Sequence, residues 1–128
     1  MNSAVLDASA LLALLQAEQG SEQVRAALVS GAVMSAVNFS EVVAKLSELD
    51  MDAVAIRLVL EPLGLPISTF DIDAAYGAGL LRRPTKAAGL SLGDRACLGL
   101  AQRLHLPVVT TDRAWQDLAL DVPVHVIR

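Results

Sequence analysis

The feature that most constrains this chain is a rhythm: short β-branched runs alternate with longer segments whose apolar residues recur at helical spacing. "SAVLD" (3–7) precedes "ASALLALLQAEQ" (8–19), which Gly20 ends. A second helical segment, "SEQVRAALVS" (21–30), stops at Gly31. "AVMSAV" (32–37) reads as a strand, followed by a helix from Asn38 to about Leu49. Asp52 to Leu60 reads as a helix ending near Pro62 and Gly64, because the residue before a proline is pushed out of the α region. "LPISTF" (65–70) is a third strand, and Asp71 caps a helix reaching Arg83, where Pro84 and Thr85 break it. Ser91 caps a helix through Leu104, "LPVVTT" (106–111) is a fourth strand, and "VPVHVIR" (122–128) is a last, edge strand. This alternation predicts an α/β layer architecture around a mostly parallel sheet of about five short strands. Right-handed crossovers then place helices on both faces. The crevice of such a sheet lies beyond the carboxyl ends of its strands.

A chain of 128 residues without repeats, low-complexity segments or linkers is expected to form one domain, 1–128, around one core. Apolar residues make up 54% but aromatics only 3%, so the interior is built from Ala, Leu and Val. No membrane span is expected: the longest stretch free of Asp, Glu, Lys and Arg runs from Ala26 to Ser40 and is interrupted by Ser30, Gly31, Ser35 and Asn38. The start, "MNSAVLDASALLALL", lacks a basic segment and carries Asp7 ahead of its apolar run, which is not the pattern of a secretory signal. With Cys97 as the one cysteine, neither a disulfide nor a cysteine metal site is available. The expectation is a soluble, cytoplasmic protein. A net charge of −4 argues against a broadly basic nucleic-acid surface. Setting aside four cation-holding acids leaves the remainder formally neutral, however, so local basic clusters matter more than the total.

Asp7, Glu41 and Asp112 belong to the carboxyl edge of the predicted sheet, and Asp94 joins them if the loop "TKAAGLSLG" returns there. Asp7 ends the first strand and Asp112 directly follows the fourth, in "VVTTDRAW" (108–115). Glu41 lies in the first turn of the helix after the second strand, and Asp94 in the first turn of the helix that feeds the fourth. Taken singly, each is explained by helix capping, since carboxylates favour free N–H groups and the positive dipole end. Asn38-x-x-Glu41 and Ser91-x-x-Asp94 both read as capping-box patterns. Two considerations point further. Asp94 shares a helix face with Cys97, Leu98 and Ala101 and so points inward. Converging carboxylates also repel, by about 4 kcal/mol per pair at 4 Å and an effective dielectric of 20. Such a cluster needs a cation or shifted pKa values. All-oxygen ligation suits Mg²⁺ or Mn²⁺, one ion or two. Thr110, Thr111 and Ser9 supply hydroxyls that can orient a carboxylate or a water.

At this point "VLDASALLAL", "NFSEV" (38–42), "LSLGDRACLGLA" (90–101) and "VVTTDRAW" together resemble the PIN-domain ribonucleases, and within them the VapC toxins of type II toxin–antitoxin pairs. The match runs essentially end to end and in order. It implies a PIN-like three-layer fold. By position, the family's acidic tetrad falls on Asp7, Glu41, Asp94 and Asp112, its hydroxyl on Thr110, and a mainly structural asparagine on Asn38. Arg95 departs from the small apolar residue that many relatives carry after the third acid. The resemblance implies metal-dependent endonucleolytic cleavage of RNA that leaves 5′-phosphate and 3′-hydroxyl ends. It also implies a homodimer and a cognate VapB-type antitoxin that blocks the site. Among substrates, transfer RNA is favoured, with ribosomal and messenger RNA open.

Other residues carry less. Arg82, Arg83 and Lys86 form the one basic cluster, a candidate RNA-phosphate contact or a solvated helix end. Arg95 and Arg113 each follow a proposed ligand and are RNA-contact candidates or structural partners. His105 tempts as a general base but precedes the fourth strand, roughly 23 Å from Asp112 at about 3.3 Å per residue. Cys97 reads as core, His125 as an edge residue, and Asp117 as an outer-shell candidate. A phosphoaspartyl domain also sets Asp at strand ends, but Ser9 stands where the dehalogenase type wants a second Asp, and no Lys follows a late strand. A non-catalytic PIN-like interaction module is the third reading, and the presence of all four acids counts against it.

Overall fold

A computed structural model describes residues 2–128. The strands are β1 (Ala4–Leu6), β2 (Ala32–Ser35), β3 (Ile67–Ser68), β4 (Val108–Thr110) and β5 (Val124–Val126). The helices are α1 (Ala8–Leu15), α2 (Ser21–Ser30), α3 (Ala36–Glu48), α4 (Ala53–Leu60), α5 (Ile72–Leu80), α6 (Arg82–Thr85) and α7 (Leu92–Leu104). Short 3₁₀ turns follow α4, α6 and β4.

The sheet order is β3-β2-β1-β4-β5, and every pairing is parallel. The chain steps outward from β1 to β2 and β3, then returns to add β4 and β5 on the other side. That reversal puts the topological switch between β1 and β4, where doubly wound sheets open a crevice at their carboxyl ends. Val5 is level with both Val33 and Val108, so the strands end together and the residues just past them meet at one edge.

Side-chain alternation along each strand assigns the two faces. Leu6, Met34 and Val109 join Leu11, Val24, Val42 and Leu46 on the side covered by α1 to α4. Val5, Val33 and Val108 join Cys97, Leu98, Leu100 and Trp115 on the opposite side. Both faces are therefore buried, as expected for parallel strands. Each fully buried Leu or Val contributes about 1.5–3 kcal/mol of transfer free energy. The expected three-layer α/β architecture is the observed one, with the sheet wholly rather than mostly parallel.

Boundaries differ where local chemistry outranks β propensity. β2 stops at Ser35 because its hydroxyl accepts from the Val37 N–H and caps α3, so Asn38 is inside the helix rather than its cap. The run 65–70 contributes only Ile67 and Ser68 to the sheet edge. The helix capped by Asp71 stops at Leu80, and Pro84 sits in the separate turn α6. There its missing N–H is harmless, since the first-turn donors of a helix are unpaired anyway. Among the described residues no helix is long and apolar enough to cross a membrane.

Candidate active site

Each of the four acids is placed by the element it begins or follows. Asp7 caps α1: Oδ1 accepts from the Ala10 N–H at 2.8 Å and from the Ser9 hydroxyl at 2.7 Å. Thr110, wholly buried at the end of β4, donates its hydroxyl to Asp7 Oδ2. The Thr110 oxygen in turn accepts from the Asp112 N–H at 3.1 Å, and the Ser9 oxygen from the Thr111 N–H at 3.0 Å. These bonds tie the ends of β1 and β4 into one rigid seam. Asp112 caps the 3₁₀ turn Arg113–Asp117 through the Ala114 N–H at 3.0 Å. Asp94 and Ser91 form a reciprocal capping box at the start of α7.

Glu41 is held from beside it. The Asn38 Nδ2 donates to Glu41 Oε1 and to the Gly93 carbonyl, each at 2.9 Å. Gly93 is buried, and a Cβ there would lie 2.6 Å from Glu41 Cδ, so the glycine makes the space the carboxylate occupies. Asn38 is 1% exposed, and no protein group among the described residues donates to its Oδ1. Leaving a buried acceptor unpaired costs about 1–3 kcal/mol.

All four acids line one cleft of about 380 Å³, together with Ala8, Ser9, Asn38, Thr111 and Trp115. The larger apolar hollow between α3 and α4 contains none of the four acids. Burial pushes the Asp7 carboxyl above its ordinary pKa; the bonds from Thr110, Ser9 and Ala10 oppose this, and the charge of Asp94 adds to it. Beneath the cleft, burial raises the Cys97 thiol well above its usual value, and the charges of Asp7, Asp94 and Glu41 raise it further. Cys97 is thus the core residue expected, and it senses three of the four acids at once.

As the side chains lie, no group of three or more His, Cys, Asp or Glu among the described residues closes to ligating distance. At least one oxygen of each acid is engaged in a cap or clamp, and both oxygens of Asp7 are. Glu41 Oε2, Asp94 Oδ1 and Asp112 Oδ2 accept no hydrogen bond among the described residues. The set therefore offers hard oxygen donors around one cavity, which suits Mg²⁺ or Mn²⁺.

The basic candidates stand elsewhere. Arg95 donates from Nη1 to the Ala78 carbonyl at 3.0 Å, and Arg113 from Nε to the Arg128 carbonyl at 2.9 Å. Arg82, Arg83 and Lys86 are exposed along α6 and the turn after it, and make no ion pair among the described residues. None of the five lines the acidic cleft. His105 ends α7 in a left-handed conformation, before β4, as expected for a residue outside the site. The sequence reading did not single out Gly93. The available signal was a glycine inside the first turn of a helix, directly before a candidate ligand, where glycine is otherwise disfavoured.

Asp7 yields a stability prediction. A carboxyl with a raised folded-state pKa stabilises the fold below its unfolded pKa, and that stability is lost as pH rises through the folded value. At neutral pH the ionised Asp7 is thus a destabilising charge in the metal-free protein. Asp7→Asn should melt at a higher temperature than the parent at pH 7 in EDTA, and the gap should close as pH approaches 4. A lower melting temperature for the variant at pH 7 would contradict this reading.

A parallel sheet in the order 3-2-1-4-5 with an acidic crevice at its switch point defines a class of α/β protein that gathers carboxylates at the carboxyl edge of its sheet. The PIN domain family model matches residues 4–120, and the chain belongs to that family. Solved structures share the whole fold. A toxin–antitoxin complex from Klebsiella pneumoniae superposes with a TM-score of 0.74 at 23% identity, covering 98% of each chain. A DNA-bound VapBC from Salmonella typhimurium gives 0.71 at 17% identity and full coverage of both chains. A VapBC family member from Mycobacterium tuberculosis gives 0.63 at 24% identity, covering 100% of this chain and 99% of the other. No curated protein sequence matches this one significantly.

Proposed function

We propose that this protein, a single PIN domain over 1–128, is a metal-dependent endoribonuclease and the toxin of a VapBC-type pair. The observation that carries the reading is the cleft lined by Asp7, Glu41, Asp94 and Asp112, three of which keep an oxygen free of hydrogen bonds. Family membership and end-to-end likeness to toxin–antitoxin structures support it. One or two Mg²⁺ or Mn²⁺ ions bound there would neutralise the phosphate, lower the pKa of the attacking water and stabilise the leaving oxygen.

The chain's own residues do the rest. Asp7, fixed by Ser9, Thr110 and the Ala10 N–H, is the rigid ligand of the set. Asp94 and Asp112 present their free oxygens in the same cleft as direct or water-mediated ligands. Glu41, exposed on α3, serves as a ligand or orients the water and accepts its proton. Attack on the RNA phosphodiester leaves 5′-phosphate and 3′-hydroxyl ends. Arg82, Arg83 and Lys86 are the basic side chains free to hold flanking phosphates, while Arg95 and Arg113 spend one N–H each on backbone carbonyls. The reading includes a homodimer acting in the cytoplasm, transfer RNA as the first substrate to try, and a VapB-type antitoxin that covers the cleft.

The test is cleavage of 5′-labelled total tRNA by purified, partner-free protein with Mg²⁺, with Mn²⁺ and with EDTA. Discrete fragments that vanish in EDTA are expected. Intact tRNA, ribosomal RNA and messenger RNA in both metals, with no Mn²⁺ binding by calorimetry, would leave only a non-catalytic PIN module. Gly93→Ala gives a sharper check. The added methyl evicts the Glu41 carboxylate, whose exposed stem can swing away, so the fold should hold. Cleavage should fall about 10–100-fold, as for a disturbed outer shell, with little change in melting temperature.

A further inference from the structure

Helix α3 divides its surface three ways. Val42 and Leu46 enter the core, and Phe39 and Val43 line the apolar hollow shared with α4. Its remaining face, with Ala36, Val37, Ser40, Glu41 and Ala44, lines a hollow of about 470 Å³ whose aromatic wall is Phe70, from the loop after β3. Glu41 lines this hollow and the acidic cleft alike, so the two spaces share one carboxylate. The chain's other aromatic side chains are placed elsewhere: Trp115 in one core, Phe39 against the other, and Tyr76 on α5. Phe70 is half-buried yet joins neither core. It directly precedes Asp71, the cap of α5, where an apolar residue often staples the helix start by packing on the fourth helical residue. That residue is Ala75, which lines a different hollow with Ile72, Tyr76 and Leu80. Neither core packing nor a staple therefore accounts for the ring beside the cleft.

Resting on the nuclease reading above, we propose that this hollow is a nucleobase subsite, in which the Phe70 ring stacks on the base of a nucleotide joined to the scissile phosphate. Three features select a base over other occupants. A phosphodiester held at the four acids brings its own two nucleosides with it, and this hollow adjoins the cleft at Glu41. No Lys or Arg lines it, and the Glu41 charge repels anions, so it does not suit a further phosphate. An aromatic face among small apolar side chains suits the planar, uncharged surface that every base offers. The exposed Ser40 hydroxyl supplies both a donor and an acceptor for the base edge.

The test compares Phe70→Ala and Phe70→Tyr with the wild type in steady-state cleavage of whichever RNA the metal-dependent assay shows to be cut. A stack made equally in the ground and transition states moves KM and spares kcat. Phe70→Ala should raise KM about 5–150-fold, the effect of losing one base–aromatic stack, with kcat and melting temperature little changed. Phe70→Tyr keeps the ring and should stay within about twofold of the wild-type KM. A second measurement needs no Phe70 variant. Asp94→Asn protein in Mg²⁺, bound to the same RNA carrying 2-aminopurine on one side of the cut or the other, should quench the probe at one of the two positions. A KM for Phe70→Ala within about twofold of wild type, an equal rise for Phe70→Tyr, or a probe unquenched at both positions in fully bound RNA overturns the inference. Each would assign the hollow to an apolar side chain of a protein partner and leave the nuclease reading intact. No cleavage of any RNA by the wild type overturns both.

Discussion

Asp94→Asn is expected to reduce RNA cleavage by about 10²–10⁴-fold while leaving the fold unharmed. On the proposed mechanism the loss follows from removing one charged ligand, since metal-ion catalysis supplies several kcal/mol and each 1.36 kcal/mol is tenfold in rate. The fold survives because the amide oxygen of asparagine can still accept from the Ser91 N–H, and the residue-94 backbone N–H still donates to Ser91 Oγ, so the α7 capping box stays closed. Removing one of four like charges also relieves repulsion in the metal-free state. The measurement is fragment yield against time in Mg²⁺, paired with a melting curve in EDTA. Cleavage within tenfold of the parent would mean that Asp94 is only a helix cap.

The largest stability effect should come from Trp115→Ala. Trp115 is 1% exposed, the largest fully buried side chain, and it closes the second core under β4. It also lies in the 3₁₀ turn that Asp112 caps, so it anchors that acid to the core. Truncation should cost about 3–5 kcal/mol. For a chain of this size that corresponds to a fall of ~10–20 °C in melting temperature. Trp115→Phe should lose less, because it keeps a ring in the site and deletes an indole N–H with no acceptor. Equal losses for Phe and Ala would show that the site does not depend on filling this volume.

The layer order and the acids were legible in the sequence for the same reason. Strands such as "SAVLD" and "LPVVTT" are short, β-branched and terminated by a carboxylate, so one pattern gives both the strand and the residue at its mouth. Boundaries were less legible because they depend on caps a few atoms across. Ser35 captures the start of α3 from Asn38 by reaching the Val37 N–H, a competition that residue type alone does not decide. The Asn38–Gly93 bond joins residues 55 apart in sequence and needs the helices' packing to exist at all. The seam from Ser9 through Asp7 to Thr110 was half visible: the hydroxyls stood out, but their pairing depended on β1 lying beside β4.

Asp7, Asp94 and Asp112 each hold a helical turn in place as well as lining the cleft. Asparagine is about as good a cap as aspartate, and an Asp codon becomes an Asn codon by a single base change. At any of these three positions, then, one point mutation can remove a carboxylate of the proposed metal site and keep the turn. On the proposed function, a gene carrying this fold can thus be disarmed without being lost. Silent, well-folded copies that still occupy a partner are an expected by-product of its history, and a sequence with one such Asn would deserve to be read as a decoy rather than a wreck.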